Sequence, residues 1–286
     1  MRHRFVALPA LALVLTAATL LAQAPPAAVP TVAFPGQYAP PPADRKYPAW
    51  PKGCTRFEGE ERTMCLDVVA SDFGGLYRFA AANALLAAPK PGERRVVFFG
   101  DSITDNWSKP EHGGFFPGKP YVNRGIGGQT TAQMLLRFRA DVIELQPKAV
   151  VILAGTNDIA GNSGPVTIDA IQDNLASMAE LARAHGIRVV LASLLPVSDD
   201  KNDANGIALT RTRQRPTATI KELNGWLANF AAKNGHVSLD YFSATADANG
   251  LLRPELNADG LHPNGAGYAI MAPLAEKAIA RVVSAR

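Results

Sequence analysis

The chain has 286 residues, is 47% hydrophobic and carries a net charge of +4. Arg2 and Arg4 supply two of those charges; without them the balance is +2, which gives no electrostatic reason to bind nucleic acid. Two cysteines and no C-x-x-C or Cys/His spacing leave no basis for a metal centre.

In chain order, Arg2 and Arg4 precede an apolar stretch from Phe5 to Leu21 and then Ala22-Gln23-Ala24, the pattern of an export signal over residues 1–24. Pro9 interrupts the stretch and prolines follow it. That predicts cleavage rather than stable membrane insertion, and a periplasmic or extracellular destination. Nine of the 22 prolines fall in residues 25–52, a density that predicts an extended linker with no core. Cys54 and Cys65 enclose ten residues, and in an exported protein they are expected to form a disulfide. Closing a loop of that size stabilises by about 2–3 kcal/mol in the chain-entropy model. Residues 53–93 therefore read as a disulfide-bearing helical segment packed beside the main domain. Its helix is expected from Leu66 to Ala88, interrupted near Gly74-Gly75.

Residues 94–286, about 195 in number, suit one α/β domain. Strands are expected near 96–100, 121–125, 149–154, 188–194 and 236–240. Helices are expected near 130–145, 166–185, 217–234 and 265–283. This alternation predicts a three-layer α/β/α sandwich around a parallel five-stranded sheet. The polar segment Ser198–Arg215 interrupts it as a long insertion before the third of these helices and is expected at the substrate mouth.

Four short segments carry the chemistry. Gly100-Asp101-Ser102-Ile103 follows the first strand, and Gly128-Gln129-Thr130-Thr131 the second. Gly155-Thr156-Asn157-Asp158 follows the third, and Asp259-Gly260-Leu261-His262-Pro263 falls in a late loop. Reactive groups of an open parallel sheet sit beyond the carboxyl ends of its strands, so three of these segments converge on one rim. The glycine pair Gly127-Gly128 lets the backbone turn and present N–H groups. Beyond the leader only His112, His185, His236 and His262 remain, and only His262 has an acid three residues ahead. Asp259 reaches that imidazole from the same loop and fixes its tautomer. His185 reads as a helix C-terminus facing the last carbonyls, and His112 and His236 as loop and strand-edge residues. Asp101 and Asp158 read as turn-holding carboxylates. Trp107, Phe115 and Phe116 are candidates for an acyl pocket, with Gly127 beside them at the site.

From about Val96 to its end the chain resembles the GDSL or SGNH hydrolase superfamily, with all four blocks in family order. The Gly-Ile-Gly-Gly-Gln-Thr-Thr stretch is most similar to the platelet-activating-factor acetylhydrolase-like and carbohydrate-esterase branches. The resemblance implies a flavodoxin-like strand order. It also implies Ser102 as nucleophile, His262 and Asp259 as the rest of a triad, and Gly128 and Asn157 as oxyanion donors with the Ser102 N–H. Ile103 stands where the family name has leucine. Gln129 stands where many members carry aspartate, which leaves open which of Gly127 and Gly128 presents its N–H.

Such a set of parts predicts a serine esterase for short acyl esters, with O-acetyl groups on carbohydrates as the expected substrate and no metal or cofactor. Acyl transfer to a sugar hydroxyl through the same residues is the first alternative. A broader lipase or arylesterase and a non-enzymatic glycan-binding protein are others; no long apolar lid segment favours the lipase. The expected partner is a small-molecule or polysaccharide ester, and the sequence implies no oligomeric state.

Overall fold

The structure, a computed structural model, describes residues 58–284 except Ala204, and not the side chains of Cys65, Val68 and Val69. The leader, the proline-rich linker and the Cys54–Cys65 pairing lie outside what is described.

Five parallel strands form the sheet: β1 (Val96–Gly100), β2 (Tyr121–Gly125), β3 (Ala149–Leu153), β4 (Arg188–Ala192) and β5 (Val237–Leu239). Their order is β2-β1-β3-β4-β5, and every neighbouring pair is parallel. This is the flavodoxin-like order. The strand order reverses between β1 and β3, the point beyond whose carboxyl ends open α/β sheets bind their ligands.

Both faces of the sheet are buried, which explains why β1 and β3 are continuous apolar runs rather than alternating ones. Val97, Phe99, Val150, Ile152, Val189 and Leu191 point to one face. There they meet α4 (Thr131–Asp141), α6 (Ile168–Ala184) and α8 (Thr217–Asn234). Phe98, Val151, Leu153, Val190 and Ala192 point to the other, against α10 (Gly265–Val283) and an aromatic cluster. Three of the long helices have a side-chain start signal, and α8 follows Pro216 without one. Thr130 and Gln133 form a capping box for α4, Thr167 caps α6, and Asn264 caps α10.

Ahead of the sheet lie α1 (Gly59–Ser71) and α2 (Ala80–Leu85). The first helix starts seven residues earlier than the expected Leu66, and the interruption spans 72–79. Glu60 and Glu61 occupy its first turn, where carboxylates favour the helix dipole even though the stretch has no apolar face. Asp72 then ends the helical path, because its carboxylate accepts from the Leu76 and Tyr77 N–H groups and closes a turn. Four short helices complete the α-helices among the described residues: α3 (Ser102–Asn106), α5 (Thr156–Ile159), α7 (Arg211–Gln214) and α9 (Phe242–Thr245).

Backbone crowding at the sheet edge dictates two glycines. A Cβ on Gly100 would stand 2.9 Å from the Leu153 carbonyl oxygen, and one on Gly125 would stand 2.7 Å from Asp105 Cα. No rotamer change relieves a clash with backbone. Gly125→Ala is therefore expected to destabilise the protein by about 1–3 kcal/mol, read as a lowered melting temperature. An unchanged melting temperature would show that α3 is free to move away from β2.

Candidate active site

Ser102 is the first residue of α3, directly beyond β1. Asp101 makes that junction: its Oδ1 accepts from Ile103 N at 3.0 Å and caps the short helix. The cap turns the chain sharply and leaves the Ser102 N–H without a partner among the described residues.

His262 reaches Ser102 from the loop before α10. Its Nε2 lies 2.8 Å from Ser102 Oγ, and its Nδ1 lies 2.9 Å from Asp259 Oδ2. Asp259 is tied to the same loop, since its Oδ1 accepts from His262 N at 2.8 Å and Leu261 N at 3.1 Å. Gly260 sits between them in the left-handed region with φ of 81°, and its carbonyl accepts from Ser198 N. Asn257 steadies the loop from below by donating to Ser198 Oγ and Asp200 Oδ1. Ser102, His262 and Asp259 are thus joined in series by hydrogen bonds.

The glycine loop after β2 lies beside the serine. A Cβ on Gly127 would be 3.7 Å from Ser102 Cβ, so this residue does border the serine. Its N–H is committed to Asp105 Oδ2 at 3.2 Å. Gly128, at φ of 82°, has its carbonyl held by Asn162 Nδ2 at 3.1 Å, whereas its N–H has no partner among the described residues. Between the two glycines left open by the sequence, Gly128 is the one with a free donor.

Asn157 lies beyond β3 and is almost fully buried. Its Nδ2 donates to the Gln129 carbonyl at 3.0 Å, and its Oδ1 accepts from Arg215 at 3.4 Å. These partners fix the amide orientation and leave its second N–H without a partner among the described residues. Asp158 turns away, accepting from Thr131 N and Oγ1, which agrees with a turn-holding role.

Two expected pocket residues sit elsewhere. Trp107 and Phe116 are buried with Phe98, Phe115 and Tyr268 in the aromatic cluster under α10. The cavity they border, about 340 Å³, is lined also by His112, Pro117 and Glu276, and by none of Ser102, Asp259 and His262. Their apolar bulk is used by the core rather than at the serine. His185 accepts its expected place, with Nδ1 2.8 Å from the Leu181 carbonyl.

Two arginines escaped the sequence reading. Arg211 Nη2 lies 3.3 Å from Asp259 Oδ2, while its Nε donates to the Asp259 carbonyl. Arg215, fully buried, donates from Nε to Thr156 O and Oγ1 at 3.1 Å each. Both come from the polar insertion, whose Arg-Thr-Arg-Gln-Arg run gives no periodic signal. Burial, followed by the charge of Arg211, pulls Arg215 down to about 10, so it remains cationic at neutral pH. Burial raises the Asp259 pKa, but the hydrogen bonds and charge of His262, with the charge of Arg211, outweigh it and hold the carboxyl well below the usual range.

A flavodoxin-like sheet whose carboxyl edge carries a Ser–His–Asp hydrogen-bond series, with N–H donors beside it that have no partner among the described residues, defines an SGNH-type hydrolase architecture. Residues 98–270 match the GDSL-like Lipase/Acylhydrolase family, and the chain belongs to that family. The lipoprotein YqeF of Bacillus subtilis is 34% identical over 126 residues, 37% of this chain and 50% of its own, so the match spans half of that relative. Platelet-activating factor acetylhydrolase IB subunit alpha2 of Rattus norvegicus is 25% identical over 225 residues, covering 77% of this chain and 91% of that protein. A GDSL-like lipase structure from Bacteroides thetaiotaomicron is 41% identical with a TM-score of 0.66, covering 73% of this chain and 98% of that one. No helix among the described residues is long and apolar enough to cross a membrane.

Asp101 gives the site a pH signature. It is fully buried, its Oδ2 has no partner among the described residues, and burial pushes its pKa up to about 6 against the pull of the Ile103 N–H, His262 and Arg215. The unfolded carboxyl ionises near the ordinary ~3.9. Its folded value is raised, so the proton stabilises the fold at low pH, and that stability is lost as pH rises from the unfolded value through about 6. Asp101→Asn keeps an oxygen for Ile103 N and removes the titration. Its melting temperature relative to wild type should therefore be more favourable at pH 8 than at pH 5. A difference independent of pH would show that Asp101 does not titrate in this window.

Proposed function

We propose that the protein is a serine esterase that hydrolyses short acyl esters, with O-acetyl groups on carbohydrates as the substrate class. The observation that carries this reading is the 2.8 Å approach of His262 Nε2 to Ser102 Oγ in line with the 2.9 Å approach of Asp259 to Nδ1. In the proposed reaction Ser102 Oγ attacks the acyl carbonyl and His262 takes its proton. Asp259 stays ionised and steadies the imidazolium. The carbonyl oxygen, now an anion, is met by the N–H groups of Ser102 and Gly128 and by the free N–H of Asn157. His262 next protonates the leaving alcohol, and the acyl-serine ester forms as that alcohol departs. Water, deprotonated by His262, then attacks the acyl carbon, and His262 returns that proton to Ser102 Oγ as the acid leaves.

The rim supports a hydrated alcohol over a lipid surface. Asn162, Ser163, Asp200 and Arg211 hold the loops of the site, and Trp107 and Phe116 line a separate cavity that excludes Ser102. Residues 1–24 would export the chain, residues 25–52 would tether the hydrolase domain at 94–286, and a Cys54–Cys65 bridge would brace the segment at 53–93.

Ser102→Ala is expected to abolish hydrolysis of p-nitrophenyl acetate and acetylated oligosaccharides with the melting temperature retained, and a fluorophosphonate should label Ser102. Activity near wild type in the folded variant would refute the nucleophile. A ratio of transfer to hydrolysis above one, with sugar acceptor present, would make the enzyme a transferase.

Asn157→Ala separates an oxyanion donor from a turn residue. Loss of a donor that acts in the transition state should lower kcat by about 10²–10³ with KM little changed. A kcat within a few-fold of wild type in well-folded protein would reject the role.

A further inference from the structure

Gln129 is completely buried in the loop between β2 and α4, and its four polar groups each have a partner. The backbone N–H donates to the Ile126 carbonyl, and the side-chain Oε1 accepts from Arg137 Nε. Nε2 donates to the Gly74 carbonyl at 2.9 Å, and the backbone carbonyl accepts from Asn157 Nδ2 at 3.0 Å. One residue therefore touches Asn157 on one side and the segment between α1 and α2 on the other. That segment lies ahead of the stretch that matches the family.

The segment is built to present that carbonyl. The Asp72 carboxylate closes its turn on the Leu76 and Tyr77 N–H groups, and Gln133 Nε2 donates to the Phe73 carbonyl at 3.2 Å. Gly75, at φ of 70°, passes so close that a Cβ there would stand 2.8 Å from Gln129 Nε2. A carboxylate at position 129 would satisfy Arg137 equally well. It would have no hydrogen for Gly74 and would set two oxygens against each other in a buried place. Only an amide has an acceptor for Arg137 at one oxygen and a donor for Gly74 at the nitrogen.

We infer that Gln129 is a positioning residue through which residues 72–76 hold the Asn157 amide in place, making the N-terminal segment part of the catalytic machinery. This rests on the oxyanion reading of Asn157 given above. A donor displaced by about 1 Å loses on the order of 10²-fold in rate, so a tether of this kind acts on kcat.

The test uses the full chain with Gln129→Glu, which removes the donor at constant shape, and Gly75→Ala, which presses on Nε2 from outside the matched domain. Each should lower kcat by about tenfold to 10²-fold with KM within about twofold. On an Asn157→Ala background the same changes should cost less than about threefold more, because the group they position is gone. Lowered melting temperatures with unchanged kcat of the folded fraction would overturn the inference, as would full multiplication of the losses on the Asn157→Ala background. Gly75→Ala keeps the question open to test if Gln129→Glu does not fold. If Asn157→Ala itself keeps wild-type kcat, the oxyanion reading fails. If that variant is impaired while Gln129→Glu and Gly75→Ala are not, only the tether fails.

Discussion

The guanidinium of Arg137, reaching up from α4 with no exposed surface, joins the carboxyl ends of two strands. Nη2 donates to Gly100 O at the end of β1, and Nη1 donates to Arg124 O near the end of β2 and to Asp141 Oδ2 at 2.9 Å. Nε takes Gln129, and the plane lies 4.2 Å over the Phe99 ring. Burial draws its pKa down to about 10, which still leaves it charged at neutral pH. A buried pair such as Arg137–Asp141 adds little net stability by itself. Removing one partner would leave an uncompensated charge at a cost of about 3–5 kcal/mol. The value of the arginine is geometric: its rigid fork fixes where two strands stop and where the serine and glycine loops begin.

The site's two halves are held by different means. The serine half depends on close backbone approach, with Gly100 and Gly125 letting α3 lie against the strand ends and Asp105 pinning Gly127. The histidine half depends on a polar network in which Asn257, Ser198 and Asp200 secure the Asp259–His262 turn against the insertion. Tyr268 links them by donating from the start of α10 to the Ile103 carbonyl at 2.7 Å. The distance between Ser102 and His262 is thereby set by the core rather than by either loop.

What was legible in the sequence follows from how local each signal is. The apolar runs at 96–99 and 149–153 and the caps at Thr130, Thr167 and Asn264 are short-range features, and the strands and long helices lie where those features put them. Asp259 and His262 meet within one turn, so their spacing alone announced the contact. Gln129 with Gly74 is 55 positions apart, and Arg211 with Asp259 is 48 apart. Such pairs obey no period, and a buried arginine in a polar run looks like any solvated one. Trp107 and Phe116 were misplaced for a related reason. Aromatic residues at the end of a short helix, as Trp107, or after a glycine pair, as Phe116, are equally at home at a mouth or under a helix, and the apolar face of α10 decided between them.

The charges around His262 form a pattern that a static list of contacts hides. Asp259 holds the imidazole at Nδ1 and is itself met by Arg211, while buried Asp101 feels the charges of both His262 and Arg215. In the proposed reaction a neutral serine and imidazole become an oxyanion and an imidazolium. The imidazolium then forms against the Asp259 carboxylate, within electrostatic reach of Asp101. The oxyanion forms beside Asn157, whose oxygen faces Arg215. Before the proton moves, the charge of Arg211 favours an ionised Asp259 and that of Arg215 an ionised Asp101, in a partly desolvated site. After it moves, the same dipoles already point the right way, so less solvent has to reorganise around the new charges. Arg215 thus does for Asn157 what Asp259 does for His262. Each holds the atom that does not react, so that the one that does is aimed.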